Sequence, residues 1–452
     1  MSYDNLKSIS PLDGRYSEKV SELRDIFSEY GLIKYRVFIE IKWLQHLSSI
    51  NEINELPEFN SELDKKLNSI INSFDVDQAS EIKKIESVTN HDVKAVEYFL
   101  RDLLKDFDDI EGFIHFGCTS EDINNLSYAL MFREARENIL LPMMSNIKTA
   151  LTDITDKYSD TPMISRTHGQ TASPTTVGKE MANIIHRLNA AVTDLNEILI
   201  LGKFNGAVGN FNAHYSAYPE LDWIEISKKF IKSIGLTPNE LTTQIEPHDW
   251  IAKFCQCLIR YNVILLDLCK DIWGYISIGY FKQKMNKNEV GSSTMPHKVN
   301  PIDFENAEGN LGVANSLLGH FSEKLPISRF QRDLSDSTVQ RNFGVAIGYT
   351  IISMKSLLKG LKKLELDEDK INDDLLNSWE VISEAIQTVM RRYNVPEPYE
   401  KLKELTRGQK INNEMLIEFI ESLEIPETAK KELISISPSS YIGVAPVLAK
   451  KI

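Results

Sequence analysis

Long stretches without proline constrain the fold of this chain more than any other feature. Its 16 prolines leave four windows that contain none, and these lie at residues 58–141, 175–218, 248–295 and 327–395. Proline breaks an α-helix because it lacks the backbone N–H donor and its ring clashes with the preceding turn. The windows are rich in Leu, Ile, Lys and Glu, and none shows the sustained alternation typical of strands. The sequence therefore predicts long α-helices.

The second window shows a clear helical periodicity. Ser173 is suited to be the N-cap of a helix, and Pro174 suits the first helical position. The predicted helix would contain about 26 residues and measure roughly 39 Å at the standard rise. Its apolar residues recur at steps of three or four, the spacing of one helix face: Val177, Met181, Ile184, Leu188, Val192, Leu195 and Leu199.

The third window is apolar around almost its whole circumference. A helix of this kind, here residues 248–281, must be covered on several faces, and one chain can cover only part of it. We therefore expect an all-α fold with a central bundle of long helices, in a chain that forms a homo-oligomer. The predicted domains are an N-terminal helical domain (1–110), the central long-helix bundle (111–362) and a C-terminal helical domain (363–452).

Charge and hydropathy argue against several classes of partner. The formal net charge is -14, from 51 basic and 65 acidic residues, whereas nucleic acid favours basic surfaces. The longest apolar run, residues 343–354, is shorter than the roughly 20 residues of a membrane helix. The first residues contain no apolar segment typical of a secretory signal. We expect a cytoplasmic protein that binds neither nucleic acid nor membrane.

The cysteines and histidines do not predict a metal site. The nine histidines form neither an HxH nor an HExxH pattern, and the four cysteines form no CxxC pair. We expect reduced thiols and no structural metal. The cysteines are Cys118, Cys255, Cys257 and Cys269.

A polar loop follows the third window, and it reads GSSTMPHKVNPIDFEN over residues 291–306. Its glycine and prolines predict a loop, and an Asn-Pro pair followed by two acidic residues predicts the start of the next helix. Lys298 and free backbone amides could stabilise negative charge on Ser292 or Ser293. An ordinary connection between helices explains the same composition.

Further polar clusters lie near the ends of predicted helices. His168, in SRTHGQTASP, is suited to proton transfer, although a loop histidine can simply bond to the backbone. The segments TNHD and TSED could bind a ligand or merely cap helices. Arginines interleaved with hydroxyl groups in SRFQRDLSDSTVQRN suit a phosphate or a carboxylate, and a surface face of salt bridges is the alternative.

Taken together, these motifs resemble a known group of enzymes. The loop GSSTMPHKVNP is similar to the signature loop of the fumarase/aspartase superfamily. The accompanying motifs, in their order along the chain, resemble those of the adenylosuccinate lyase family; they are DGRY, TNHDVKAVEYF, HFGCTSEDINNL, SRTHGQ, TTQIEPHD and QRDLSDSTVQR. The likeness covers essentially the whole chain.

The resemblance implies a reaction and an assembly. Members of this family eliminate fumarate from adenylosuccinate, giving AMP, and from the succinyl-carboxamide ribotide SAICAR, giving AICAR. They are homotetramers with a core of twenty helices, each active site uses residues from three subunits, and no cofactor is required. Another lyase of the superfamily and a non-catalytic helical scaffold protein are the alternatives.

The resemblance also implies roles for particular residues. Ser292 would be the general base and His168 the general acid, with Glu305 as the charge partner of His168. Lys298 and His91 would support catalysis. The implied substrate-binding residues are Arg15, Tyr16, Asn90, His91, Asp92, Thr119, Ser120, Gln244, Lys298, Asn300, Arg332, Ser337, Thr338, Val339, Gln340 and Arg341.

Overall fold

The structure is a computed structural model, and it describes residues 5–107, 110–284, 295, 298–406 and 411–452. Most of these residues are α-helical, which confirms the all-α prediction. The α-helices are α1 (Arg24–Phe27), α2 (Glu29–Ser48), α3 (Ser61–Asn72), α4 (Val76–Thr89), α5 (Asp92–Leu103), α6 (Ser120–Ala135), α7 (Leu141–Lys157), α8 (Val177–Asn196), α9 (Asn212–Ala217), α10 (Trp223–Ser233), α11 (Asp249–Ser277), α12 (Ile302–Lys324), α13 (Ser335–Gln340), α14 (Phe343–Lys363), α15 (Glu368–Leu376), α16 (Ser383–Arg392), α17 (Pro398–Thr406), α18 (Asn413–Ser422), α19 (Glu427–Ile434) and α20 (Ala445–Ala449).

The strands of the described residues form three small two-stranded sheets. Two of the sheets are antiparallel and pair β1 with β2 and β5 with β6, whereas β3 and β4 are parallel. The strands are β1 (Pro162–Thr167), β2 (Gln170–Thr176), β3 (Leu201–Gly202), β4 (Thr237–Pro238), β5 (Phe281–Gln283) and β6 (Leu364–Leu366).

The third window and the apolar run at 343–354 both form helices, as the sequence predicts. The third window forms α11, a helix of 29 residues, and the apolar run begins α14. Among the described residues, every helix is too short or too polar to cross a bilayer.

The predicted start of the helix in the second window is wrong. Ser173 and Pro174 belong to β2, and α8 begins only at Val177 and contains 20 residues rather than about 26. Three threonines in β2 favour extended backbone because they are branched at Cβ. Pro174 lies opposite Ile164, where the register of the hairpin shifts, and such an irregularity tolerates a residue without an N–H donor.

The chain divides into two compact units, each made of three separate segments. The first unit comprises Met1–Met144, Ala191–Val263 and Gly309–Lys355; the second comprises Ser145–Ala190, Ile264–Glu308 and Ser356–Ile452. The three predicted domains are instead continuous in sequence, and that division stays a prediction.

An aromatic cluster fixes α2 within the first unit. The ring of Trp43 lies 4.3 Å from that of Phe204 and 5.0 Å from that of Phe230, measured between centroids. The indole N–H of Trp43 donates to the carbonyl oxygen of Phe116 at 3.0 Å. Burying such rings stabilises the fold by roughly 1.5–3 kcal/mol per side chain. Because α2 is anchored in this way, its other buried side chains, including Arg36, have defined positions.

Close packing holds the beginning of α12 within the second unit. Phe304 is buried and lies against Gly360 on α14. A Cβ atom added to Gly360 would come within 2.8 Å of the Phe304 ring, so only glycine fits there without displacement. This contact positions the first turn of α12, which carries Glu305.

Candidate active site

The predicted site residues divide between the two units. In the second unit lie His168, Lys298, Asn300 and Glu305. Ser292 and Ser293 lie outside the described residues. The first unit contains Arg15, Tyr16, Asn90, His91, Asp92, Thr119, Ser120, Gln244, Arg332, Ser337, Thr338, Val339, Gln340 and Arg341.

In the first unit, the segment TNHD separates α4 from α5. Asn90 ends α4 in the left-handed conformation, with φ 52, which Asn tolerates better than most residues. The Nδ1 atom of His91 accepts a hydrogen bond from the backbone N–H of Lys94 at 3.2 Å and so caps α5. Because Nδ1 accepts, a neutral His91 carries its proton on Nε2. His91 can therefore offer a donor from a fixed ring.

Asp92 lies between two arginines. Its Oδ2 atom accepts from Arg36 Nη2 at 2.7 Å and from Arg341 Nη2 at 3.1 Å. Burial alone would raise the pKa of Asp92, but Arg36 and the hydrogen bonds to the carboxylate outweigh it and lower the pKa. Arg36 is itself buried, and its Nε donates to Asn124 Oδ1 at 2.8 Å. Asp92 and Arg341, two of the predicted site residues, are therefore in direct contact through the carboxylate of Asp92.

The hydroxyl residues after position 334 lie in the short helix α13, and Arg341 directly follows it. The Nη1 atom of Arg341 donates to the Ser337 carbonyl oxygen at 3.1 Å and to Ser337 Oγ at 2.6 Å. A cavity of about 250 Å³ has Arg341 in its wall together with Asp13 and Arg24. Asp13 begins the DGRY motif, in which Arg15 is exposed. Arg341 therefore lies in the wall of a cavity that the N-terminal motif also lines.

Arg332 contacts three polar side chains. Its Nη2 lies 3.2 Å from Glu121 Oε2, its Nε lies 3.7 Å from Asp336 Oδ2, and its Nη1 lies 3.4 Å from Gln244 Oε1. Gln244 is held in turn, because its Nε2 donates to the Ala207 carbonyl oxygen at 3.0 Å. Arg332 and Gln244, which lie far apart in sequence, are therefore neighbours, as a shared substrate site requires.

The segment TSED begins α6, as the sequence predicts, and a buried carboxylate anchors it. Asp122 Oδ2 accepts from the Thr119 N–H at 2.8 Å, and Asp122 Oδ1 accepts from the Asn205 N–H at 3.0 Å. The ammonium group of Lys203 lies 3.0 Å from the same carboxylate, and both side chains are fully buried. The backbone at Thr119 and Ser120 is consequently held in one place.

In the second unit, His168 lies at the tip of the hairpin formed by β1 and β2. His168 and Gly169 both have positive φ, at 54 and 74, and connect the strands as a two-residue turn. The imidazole is exposed. The sequence predicts a loop at this point, whereas the structure shows a short turn, which gives the histidine a rigid support.

Lys298, Asn300 and Glu305 lie around the start of α12. The helix begins at Ile302, and the Pro301 carbonyl oxygen accepts from the Glu305 N–H at 3.1 Å, so the predicted helix start is correct to within one residue. Lys298 is exposed. Glu305 Oε1 accepts from the Trp273 indole N–H at 3.2 Å. The pairing of Glu305 with His168 stays a prediction.

Comparison with known proteins gives one consistent result. Residues 14–316 match a family model described as lyase, and residues 328–442 match one described as adenylosuccinate lyase C-terminal. The chain is 53% identical over 448 residues to the adenylosuccinate lyase of Escherichia coli (strain K12), covering 98% of both chains. It is 51% identical over 455 residues to that of Haemophilus influenzae, covering 100% of both.

The chain belongs to the adenylosuccinate lyase family. It is therefore a lyase. A solved structure with the same fold is the fumarate lyase from Mesorhizobium sp. BNC1, with a TM-score of 0.75, 16% identity, and coverage of 95% of this chain and 96% of that chain. At this identity the likeness describes the fold alone.

Three residues around the predicted site are not assigned a role from the sequence. Arg36 lies in the middle of α2 and outside every motif, whereas Glu121 and His248 lie inside the motifs HFGCTSEDINNL and TTQIEPHD, which do not show what these two residues contact. Their role becomes visible only through the contacts with Asp92, Arg332 and Asp336. For Arg36 the available signal is a charged residue among apolar and aromatic neighbours, and it points to burial without identifying the partner.

Proposed function

We propose that the chain cleaves adenylosuccinate to AMP and fumarate, and SAICAR to AICAR and fumarate. The observation that carries this proposal is the identity of about half of all residues, over nearly the full length, with proteins named adenylosuccinate lyase. At this level of identity, relatives commonly share their reaction. The substrate is a small anionic nucleotide, which fits the arginines found in the first unit.

The reaction needs a base, an acid and stabilisation of a developing charge. The bond that breaks joins nitrogen to a carbon that is β to a carboxylate. A base must remove a proton from the neighbouring carbon, and negative charge then builds on the carboxylate as an aci-carboxylate. An acid must protonate the departing nitrogen so that it leaves as a neutral amine.

We infer that Ser292 is the base and His168 the acid. An ordinary serine hydroxyl is far too weak an acid to ionise, so Lys298 and backbone amides must stabilise its alkoxide. His168 is suited to its role because its imidazole is exposed on a short, rigid turn and an imidazole can both donate and accept a proton. Glu305 would favour the protonated ring if it lies beside His168 during the reaction.

The remaining residues would bind the substrate. We propose that Lys298, Asn300, Thr119 and Ser120 hold the succinyl carboxylate. Three predicted residues, Asn90, His91 and Gln244, would contact other parts of the substrate, and Asp92 would do so while it holds Arg341. The nucleotide and its phosphate would be bound by Arg15, Tyr16, Arg332, Ser337, Thr338, Val339, Gln340 and Arg341.

We also propose a cytoplasmic homotetramer in which each active site uses residues of three subunits. Large apolar side chains on two of the longest helices support an assembly, because Val263 and Trp273 on α11 and Val313 on α12 are each almost half exposed. Mixing subunits that carry different inactivating changes tests this assembly. Hybrid tetramers would contain some unaltered sites and regain activity.

Ultraviolet absorbance tests the proposed reaction. The protein should cleave adenylosuccinate and should leave aspartate, argininosuccinate and fumarate unchanged. Turnover only of one of those three would mean that the chain is a different lyase of the superfamily. Absence of every activity would favour a scaffold protein.

The base assignment has a matched pair of variants in neighbouring serines. Ser292→Ala should lose almost all turnover, by about 10³-fold or more, while the substrate still binds, because a general base contributes about 10²–10⁴-fold. Ser293→Ala should keep most of its activity. If Ser293→Ala is the inactive variant, the roles of the two serines are exchanged.

A further inference from the structure

Glu121 is a buried carboxylate that the proposed reaction does not use. It is the second residue of α6 and is completely buried. Neither of its oxygens has a hydrogen-bond partner of good geometry among the described residues. A buried carboxylate is costly unless something compensates its charge. A positively charged group is therefore expected beside Glu121.

That group is Arg332. The two side chains approach to 3.2 Å, and Arg332 is largely buried as well. Burial raises the pKa of Glu121 to about 7, against the opposing effect of Arg332. Among the groups that oppose this shift, Arg332 has the largest effect, ahead of His248 and Lys203.

Asp336 holds the same guanidinium from another side. Its Oδ2 atom lies 3.7 Å from Arg332 Nε and 3.7 Å from His248 Nε2. His248 is itself fixed, because its Nε2 lies 3.3 Å from Gln340 Nε2 and its backbone N–H donates to Glu246 Oε2 at 2.8 Å. The contact between Arg332 Nε and Asp336 Oδ2 is an ion pair, and neither atom has a hydrogen-bond partner among the described residues. Because a guanidinium is planar and rigid, the two carboxylates on its Nη2 and Nε side leave Nη1 turned toward Gln244.

A metal ion is the rival explanation for this cluster. Among the described residues, Glu121, His248 and Asp336 have potential ligand atoms within 4.8 Å of one another. The guanidinium of Arg332 already contacts two of the three. It supplies positive charge where a metal would, and a second cation beside it would be repelled.

We propose that Glu121 is a positioning residue for Arg332, and that together with Asp336 it fixes the guanidinium so that its Nη1 edge faces the anionic nucleotide part of the substrate. This inference rests on the proposed function. The phosphate of the nucleotide does not change during the elimination, so an arginine that holds it binds the substrate and the transition state equally. Loss of its orientation should therefore raise KM and leave kcat nearly unchanged.

A double-mutant cycle tests this role with adenylosuccinate as the substrate. Glu121→Gln keeps the shape of the side chain and removes its charge. The assays are made well above the pKa of about 7, where the wild-type carboxylate is ionised. We expect its KM to rise about tenfold, which is typical of losing one charge-assisted interaction, with kcat within about twofold of the wild type. In an Arg332→Met background the same change should have almost no further effect on KM, because two residues that act as one unit are not additive.

Glu97→Gln is the matched control. Glu97 is also a buried glutamate paired with an arginine, Arg101, at 2.8 Å. This variant should leave KM unchanged, whatever it does to thermal stability. If Glu121→Gln does not fold, Asp336→Asn tests the same role, since it removes the negative charge beside Arg332 Nε. The KM of Asp336→Asn should also rise.

Distinct outcomes would overturn the inference. An unchanged KM in folded Glu121→Gln, or the same KM increase in both Arg332 backgrounds, means that Glu121 does not act through Arg332. Mass spectrometry that finds one equivalent of a divalent metal in the wild type and none in Glu121→Gln means that the cluster is a metal site. A wild type that does not cleave adenylosuccinate overturns the proposed function and this inference with it. If the wild type is active, a negative result for Glu121→Gln overturns this inference alone.

Discussion

The predicted site residues of the two units are supported in different ways. In the first unit, Arg332 and Arg341 contact carboxylates that are buried or partly buried, and these contacts join the segments on either side of α13 to the helices α6 and α5. In the second unit, His168 and Lys298 are exposed and lie on a turn and beside a helix start. Groups that recognise a constant part of a substrate benefit from being fixed before it arrives. Groups that move protons need access to the reacting atoms, and short supports provide it.

This difference between the units leads us to expect that substitutions in them affect different measured quantities. Changes to the buried charges of the first unit that contact Asp92, Arg332 or Arg341 should affect stability and KM, because those residues hold predicted site residues in place. Changes to the exposed groups of the second unit should affect kcat while the folded protein stays equally stable. The experiments that follow run from the largest expected effect to the smallest.

The largest effect is expected at His168. His168→Asn should lower kcat by about 10²–10⁴-fold, the usual contribution of a general acid. Its melting temperature should stay unchanged, because the side chain is exposed and Asn also tolerates the left-handed backbone of this turn. Steady-state kinetics and thermal unfolding measure the two quantities.

His186→Asn is the control for His168→Asn. His186 is exposed in the middle of α8, and its replacement should change neither kcat nor stability. A large loss of stability in His168→Asn would break the comparison, since it would give this histidine a structural role. An active His168→Asn variant would remove it from the role of acid.

Much of the fold could be predicted from the sequence because helices follow from local patterns. The absence of proline and the apolar spacing identify α8 and α11, and an Asn-Pro pair identifies the start of α12. The hairpin of β1 and β2 could not be predicted in this way. It depends on pairing across a two-residue turn, and its proline suggested a helix instead.

The site shows the same limit. Motifs pointed to Asp92, Arg332 and Arg341, yet nothing in the spacing of the chain predicts that Arg36 or Glu121 contacts them. Such partners come from different helices, and their distance is set by tertiary packing. A sequence pattern reports one helix face and cannot report which residue of another helix meets it.

The next effect in size concerns stability in the first unit. Arg36→Met should reduce the free energy of unfolding by about 3–5 kcal/mol, because Arg36 is buried and its removal leaves Asp92 without its main partner. Chemical denaturation measures the loss. Arg187→Met is the matched control: its pair with Asp267 is exposed, so the loss should be about 0–1 kcal/mol.

The same variant should alter the acid sensitivity of the protein. The pKa of Asp92 is lowered in the folded state, so the stability it contributes is present above its ordinary value of 3.8. That contribution is lost as the pH falls through the folded pKa. The wild type should therefore lose stability in acid more steeply than Arg36→Met does. Parallel acid profiles of the two proteins would mean that Arg36 does not set the pKa of Asp92.

The smallest effect is expected at the start of α12. It tests whether the exposed site residues of the second unit also depend on a buried charge. Asp303 is buried there, and the ammonium groups of Lys363 and Lys359 on α14 lie 3.0 Å and 3.4 Å from its oxygens. Lys363→Met removes the shorter contact and leaves the other. Because Lys359 still compensates the carboxylate, we expect a loss of about 1–3 kcal/mol in unfolding free energy, below that of Arg36→Met. We also expect a decrease of a few-fold in kcat, because the helix start orients Glu305 and Asn300.

Lys282→Met is a suitable control for Lys363→Met, since the side chain of Lys282 is exposed while it pairs with a largely buried carboxylate, Asp367. It should change neither quantity measurably. If Lys363→Met lowers kcat while Lys282→Met does not, the exposed groups of the second unit also depend on a buried ion pair. The two units would then differ only in how many buried carboxylates support their site residues. Several carboxylates orient the arginines of the first unit, and Asp303 orients the helix that carries Glu305. If Lys363→Met keeps full activity, the packing of Phe304 against Gly360 suffices to hold α12.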